Sequence, residues 1–336
     1  MNMKQSFFKR FLPLVIAVLM IFTAGCAKNP TQEKTADGTE PEPVAISGET
    51  AQSDGADAAH SSLYSVDGTT DESSSGVYAS NEANENAVLV QNAGVLVMTS
   101  ADINKIGDST GDTSGGQNAA IAVLSAGEMT LNESNVTTNA MGGIGLFVSG
   151  SGSVLTVSSS AVYTSGDSSP ALAIADGASV SMSGGTLATE GNNAPSILLS
   201  GGSILLSGVT LSAAGGEALS VLSGENTLTL DQTTVSTNPI FAEESSLLLW
   251  LQNGASFTGA LGGMLPAIAS VRLDATSKLA LTAETYLAVY VNADTAHANI
   301  QSNGFNLYYD SNALENAYLG GQSFMLPGGG FLAPII

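Results

Sequence analysis

The chain repeats itself about every 25 residues, and this period limits its possible folds more than any other feature. Three short apolar pieces recur in fixed order. The first occupy residues 120–123, 145–148, 171–174, 196–199 and 219–222. The second occupy 129–131, 154–157, 180–182, 204–206 and 228–230. The third begin at Val136, Val162, Leu187, Leu211 and Val235, in steps of 26, 25, 24 and 24 residues. Between them stand Gly, Asn, Asp and Ser, which end strands and make turns. No heptads or long helical stripes are present. Three strands of three to five residues plus three turns make one coil of a three-sided parallel β-helix. Leucine-rich repeats need a Leu-x-x-Leu-x-Leu pattern, which is absent, and a propeller blade needs about 40 residues. Stacked at roughly 4.8 Å, such coils hide one another's apolar interior.

Composition agrees with this reading. Apolar residues make up 43% of the chain and charged residues only 11%, against about 25% charged in ordinary domains. Outer faces must therefore be built from Ser, Thr, Asn and Gly. Glycine pairs such as Gly142-Gly143, Gly184-Gly185, Gly201-Gly202 and Gly215-Gly216 fall near the expected coil corners. An earlier coil is expected at Val88-Leu89-Val90, Leu96-Val97-Met98 and Ile103, followed by an insertion over residues 107–116. The pattern resembles the pectin-lyase-like right-handed β-helices, in particular adhesin-like surface proteins. The resemblance covers about residues 87–333. It implies an all-β, single-stranded, right-handed parallel β-helix, with regular coils over 87–241, then wider closing coils and a C-terminal cap over 242–336.

The N-terminus reads as an export signal. Lys4, Lys9 and Arg10 precede an apolar run over residues 11–22, then Thr23-Ala24-Gly25 and Cys26. A basic start, a short apolar core and a small-residue exit describe a secretory signal. Thr-Ala-Gly-Cys resembles the lipobox of bacterial lipoproteins, with Thr23 where that family prefers Leu. The resemblance implies cleavage between Gly25 and Cys26, so that 1–25 is the signal peptide. It also implies a diacylglyceryl group on the Cys26 thiol, and further acylation of its amine in some bacteria. The partner is then the membrane, and the protein is exported, anchored by lipid to the bacterial cell membrane and facing outward. Cys26 is the one cysteine of the chain, so no internal disulfide is expected.

Residues 26–86 read as an acidic, disordered tether. Pro30, Pro41, Pro43 and many small polar residues leave few aliphatics to offset the entropy of ordering. A flexible coil of about 60 residues spans roughly 40 Å. The alternative is a first, irregular turn of the fold around Leu63, Tyr64, Val66, Val77 and Tyr78. Without the signal, five basic residues stand against 30 acidic ones, a formal charge of −25. Such a surface repels nucleic acid, because phosphate binding needs clustered Lys and Arg.

Enzymes of the resembled superfold cut acidic polysaccharides with carboxylate-held Ca²⁺ and an Arg or Lys base, or with clustered Asp residues, a His and a cationic clamp. The body of this chain offers Arg272, Lys105, Lys278 and His297 only, since His60 falls in the tether. No paired set for acid–base work and no nucleophile triad is visible. No catalytic residue, metal or cofactor is therefore expected. Asp102, Asp108, Asp112 and the pair Glu243-Glu244 read as solvated turn acids in preference to a Ca²⁺ site. Thr138, Thr164, Thr189 and Thr237 recur at one repeat position and are the candidate ligand-facing residues, weighed against a polar column stacked inside a corner. Trp250, Tyr163, Tyr286, Tyr290, Tyr308 and Tyr309 are further candidates for sugar stacking. Trp250 lies among leucines and is expected in the core, with Tyr308-Tyr309 in the cap. The functional expectation is a non-enzymatic, adhesin-like surface protein binding glycan or envelope or host surface material. The alternative is a polysaccharide lyase or hydrolase dependent on Arg272 or Lys278.

Overall fold

A computed structural model describes residues 60–243, 245–262 and 269–335. Gly25, Cys26 and the signal segment lie outside the described residues. The described chain is an all-β parallel solenoid of about 11 turns, with coils roughly 24 residues apart. Strands fall into three columns. The first begins Ser61–Asp67, Glu85–Gln91, Ile121–Leu124 and Leu146–Ser149. The second begins Thr70–Ser74, Val95–Thr99, Glu128–Asn132 and Val154–Ser158. The third begins Val77–Ser80, Asp102–Lys105, Asn135–Thr138 and Ala161–Thr164. In Leu172–Ser183 and Ile197–Ser207 the first and second strands run together round the corner, with a register shift between Ala175 and Ala178. Hence the first column as far as Ile240–Phe241 and the second column share one 16-stranded sheet, while the later first-column strands Thr285–Leu287, Leu307–Tyr309 and Phe331–Pro334 lie in a separate four-stranded sheet.

Register follows the repeat read from sequence. Val136, Val162, Leu187 and Leu211 are ladder partners in that order. Along the second column, Met129, Leu155, Val180, Ile204, Leu228 and Leu249 stack one above another. All six are buried. A fully buried aliphatic side chain contributes about 1.5–3 kcal/mol, and here only the neighbouring coils bury it.

The closing coils are narrower than the regular ones, not wider. Val235, Phe257, Leu279 and Ile300 are successive partners, separated by 22, 22 and 21 residues. The shortening falls partly on the first column, whose strands shrink to Ile240–Phe241 and Thr285–Leu287. The bulky side chains of Phe257 and Tyr290, both buried, fill the interior with fewer residues.

The solenoid also begins earlier than residue 87, because Ser61–Ser80 of the expected tether forms a complete first coil. Its signal is weak in sequence because no other described coil covers its far side, and polar groups stand there in place of aliphatics. Tyr64 and Tyr78 sit over the inward residues Val88 and Ile103. Asp71 and Ser73 take the positions above Leu96 and Met98. Tyr64 Oη donates to Asp71, and Tyr78 Oη pairs with the Ser73 hydroxyl. The two rings, 5.2 Å apart, form an apolar roof with polar edges.

At the other end the expected cap is present. The 3-10 helix Leu314–Leu319 covers the last second-column strand, Val289–Asn292. Asn316 Oδ1 accepts from the Tyr290 N–H at 2.8 Å, and its Nδ2 donates to the Ala288 carbonyl at 2.8 Å. Tyr318 Oη donates to the Tyr290 carbonyl at 3.0 Å. Backbone groups that would template another chain are thereby satisfied. Phe331–Pro334 continues the first column on Leu307–Tyr309, and Phe324–Met325 returns antiparallel along it.

His297 is buried beneath this cap. Tyr290 Oη accepts from Asn292 Nδ2 at 2.9 Å and pairs with His297 Nδ1, 3.1 Å away. The buried imidazole favours its neutral form. Burial lowers its pKa, with Asp294 pulling weakly the other way. The unfolded chain takes up the proton near pH ~6.5 and the folded chain only below that. The stability contribution is therefore full above ~6.5 and is lost as pH falls through the folded value. We expect His297→Gln, which keeps a hydrogen-bonding group beside Tyr290, to reduce the drop in melting temperature between pH 7.5 and 5.5. An unchanged drop would show that His297 does not couple the cap to pH.

Candidate functional site

The threonine column lies inside the solenoid. Thr138, Thr164, Thr189 and Thr237 are all buried, which removes them as ligand-facing residues. Thr164 and Thr189 donate to the Ser169 and Ala194 carbonyls at 2.5 and 2.6 Å. Thr138 Oγ1 accepts from the Ala140 N–H, and Thr237 Oγ1 accepts from the Ala218 N–H. The hydroxyls thus satisfy backbone groups where the chain turns out of the third column. Lys105 occupies the same position one coil before Thr138. It is fully buried, and its Nζ donates to the Glu82 carbonyl at 2.6 Å. Burial lowers its pKa, against the pull of Glu85, Asp108 and Glu82.

The acids flagged in sequence act separately as turn acceptors. Asp108 accepts from the Met141 N–H, Asp112 from the Ser114 N–H and hydroxyl, and Asp102 from Asn135 Nδ2. Among the described residues, no group of three or more His, Cys, Asp or Glu is placed to hold a metal ion. Glu244 lies outside the described residues. The insertion carrying Asp108 and Asp112 folds against the outside of the first column, where Leu89, Ala122, Phe147 and Ala173 form a second buried apolar cluster. Gly116 packs so close to the Phe147 ring that a Cβ would lie 2.1 Å from it. This external cluster was not legible in sequence, because its residues alternate with core residues on the same strands.

The second column presents a different outer face. One outward row runs Thr130, Thr156, Ser181, Leu205, Thr229, Trp250. The next runs Val154, Ser179, Ser203, Thr227, Leu248. Residues of a row are about 4.8 Å apart, and the rows are separated by two residues of strand, about 6.6 Å. A shallow depression of about 250 Å³ lies on this face, with Ser179, Ser181 and Ser203 between Val154 and Leu205. At one end stands Trp250, 44% exposed rather than in the core. The strand Ser245–Gln252 explains why: Leu247, Leu249 and Leu251 point inward, so period 2 puts Trp250 outward. Arg272 follows in the same row, with its Nε buried and without a hydrogen-bond partner among the described residues.

The other candidate aromatics are placed elsewhere. Tyr290 and Tyr309 are buried. Tyr286 and Tyr308 stack on each other in the first column at 4.8 Å and 17°. Tyr163 is half-buried on the third column. Lys278 is exposed on the third column, and His297 is buried in the cap. Arg272 therefore meets neither from a shared face. No family model matches the chain, and no curated protein is significantly similar to it.

Proposed function

We propose that this is a non-enzymatic, lipid-anchored cell-surface protein, adhesin-like, which offers the outer face of its second column to glycan or to envelope or host surface material. The observation that carries the reading is that face: open, several coils long, rich in hydroxyls and bearing an exposed tryptophan. Trp and Tyr combine a large apolar surface with a polar handle, which suits them to contact surfaces. The titratable side chains of the body are dispersed among turns, corners and the cap, whereas acid–base chemistry needs two of them converging on one bond. A glycan array and a panel of host-matrix proteins, probed with the full chain, test the reading. Binding that weakens in Trp250→Ala is expected; silence on both panels leaves only a spacer role.

Anchoring rests on the lipobox resemblance at Cys26. Two or more acyl chains hold a protein stably on a membrane, whereas one exchanges off. In a bacterial host that processes lipoproteins, Cys26→Ser is expected to abolish incorporation of labelled fatty acid. Persistence of the label would remove Cys26 as the lipidated residue.

A further inference from the structure

We propose that the second-column face between Val154 and Trp250 binds an uncharged polysaccharide laid along the solenoid axis, with Trp250 as its stacking platform. The inference rests on the surface-binding reading above and gives that face its ligand class.

Charge decides between polymer types. From Val154 and Thr156 to Leu248 and Trp250, both outward rows are free of charged residues. The 30 acidic residues of the chain all lie outside these two rows. Acids flank the strip: Glu128 precedes Val154, Glu225 lies at the corner beside Asn226, and Asp231 follows Thr229 along its strand. A polyanion approaching the strip meets these carboxylates and the net negative field of the chain, against the single cation Arg272. A neutral polyol meets neither repulsion nor the cost of burying its own charge.

Shape decides between a polymer and a small sugar. The strip covers four coil steps, roughly 19 Å at about 4.8 Å per step. It repeats hydroxyls over the four coils from Thr156 to Thr229 instead of gathering donors around one centre, and its depression is open and shallow. A hydroxyl contact contributes only about 0.5–1.5 kcal/mol net, so one sugar unit gains little. A chain touching several steps adds such contacts without a new association cost each time. The apolar CH face of a pyranose matches the indole of Trp250, with Leu205 and Val154 as further apolar contacts along the strip.

The test is native affinity electrophoresis of the detergent-solubilised full chain. The uncharged gels contain laminarin, xyloglucan or glucomannan, and the acidic gels contain polygalacturonate or hyaluronate. Retardation is expected in at least one uncharged gel and in neither acidic one. Oligosaccharides of the retarding polymer should compete better as they lengthen towards the span of the strip. Trp250→Ala should weaken binding about tenfold or more, and Trp250→Phe should restore part of it. Ser203→Asp, which puts a carboxylate in mid-strip, should weaken binding similarly. Tyr163→Ala, on another column, should leave it unchanged. Retention in acidic gels alone, retention in no gel, or retention indifferent to both Trp250→Ala and Ser203→Asp overturns the inference. A matrix protein or a second copy of the chain whose binding is lost in Trp250→Ala would also overturn it, while leaving the face itself as the binding surface. Binding of any partner that ignores both substitutions would remove the face as well.

Discussion

Replacing Leu206 with alanine is expected to destabilise the protein by about 2–5 kcal/mol, while Leu205→Ala costs less than about 0.5 kcal/mol. The two leucines are adjacent in the strand Ile197–Ser207 and differ only in the face they take. Leu206 is fully buried and stacks between Met182 and Leu230 of the neighbouring coils, whereas Leu205 is 36% exposed. Truncating Leu206 removes apolar burial and leaves a cavity bordered by three coils, which cannot collapse without losing register. In a solenoid each coil is supported only by its neighbours, so the damage sits at the centre of the stack. Chemical denaturation of both variants measures the contrast. Equal losses would mean that the inside and outside of this strand are misassigned.

Gly185→Ala is the second large effect, expected to cost at least about 2 kcal/mol. Gly185 has φ 86°, and a Cβ there would lie 2.0 Å from the carbonyl oxygen of Ser160 in the coil before. The left-handed conformation alone costs about 1–2 kcal/mol for a residue with a Cβ. The contact is with backbone, so relief requires the coils to part. Gly208 separates the two causes, because it has φ 63° but open space around its Cβ position. Gly208→Ala should show the conformational cost alone, and Gly185→Ala clearly more. Similar melting temperatures for the two variants would show that the coils do not approach as closely as described.

The regular coils were legible because their inward residues obey two rules at once, alternation along the strand and recurrence along the stack. Val136, Val162, Leu187 and Leu211 meet in the predicted order for that reason. Where one rule is relaxed, the reading failed. The first coil replaces inward aliphatics with Asp71 and Ser73 because nothing among the described residues stacks above it, so its composition imitated a linker. The closing coils keep alternation but lose two to five residues per turn relative to the 24 to 26 of the regular repeat, which hid their period.

The candidate site was legible in part. The threonines drew attention because they recur, yet recurrence at a corner marks the interior as readily as the surface. Thr164 and Thr189 recur because each corner has a backbone carbonyl to satisfy. Trp250 was judged by its leucine neighbours when its parity in the strand was the informative fact. The second-column face as a whole could not be assembled from sequence, since its rows join residues from six coils through registers that only the stacked structure fixes.

Cysteine pairs placed on the outer face of the second column test that stacking most directly. In a Cys26→Ser background, which has no other cysteine, Thr156→Cys with Ser181→Cys joins two ladder partners. Their Cα atoms, about 4.8 Å apart, fall in the range a disulfide spans. Thr156→Cys with Ser183→Cys places the partners two residues out of register, about 8 Å apart and beyond that range. Under mild oxidation the first pair should close into an intrachain disulfide and the second should stay reduced. Closure of the second pair in preference to the first would contradict the registered stack on which the binding face depends.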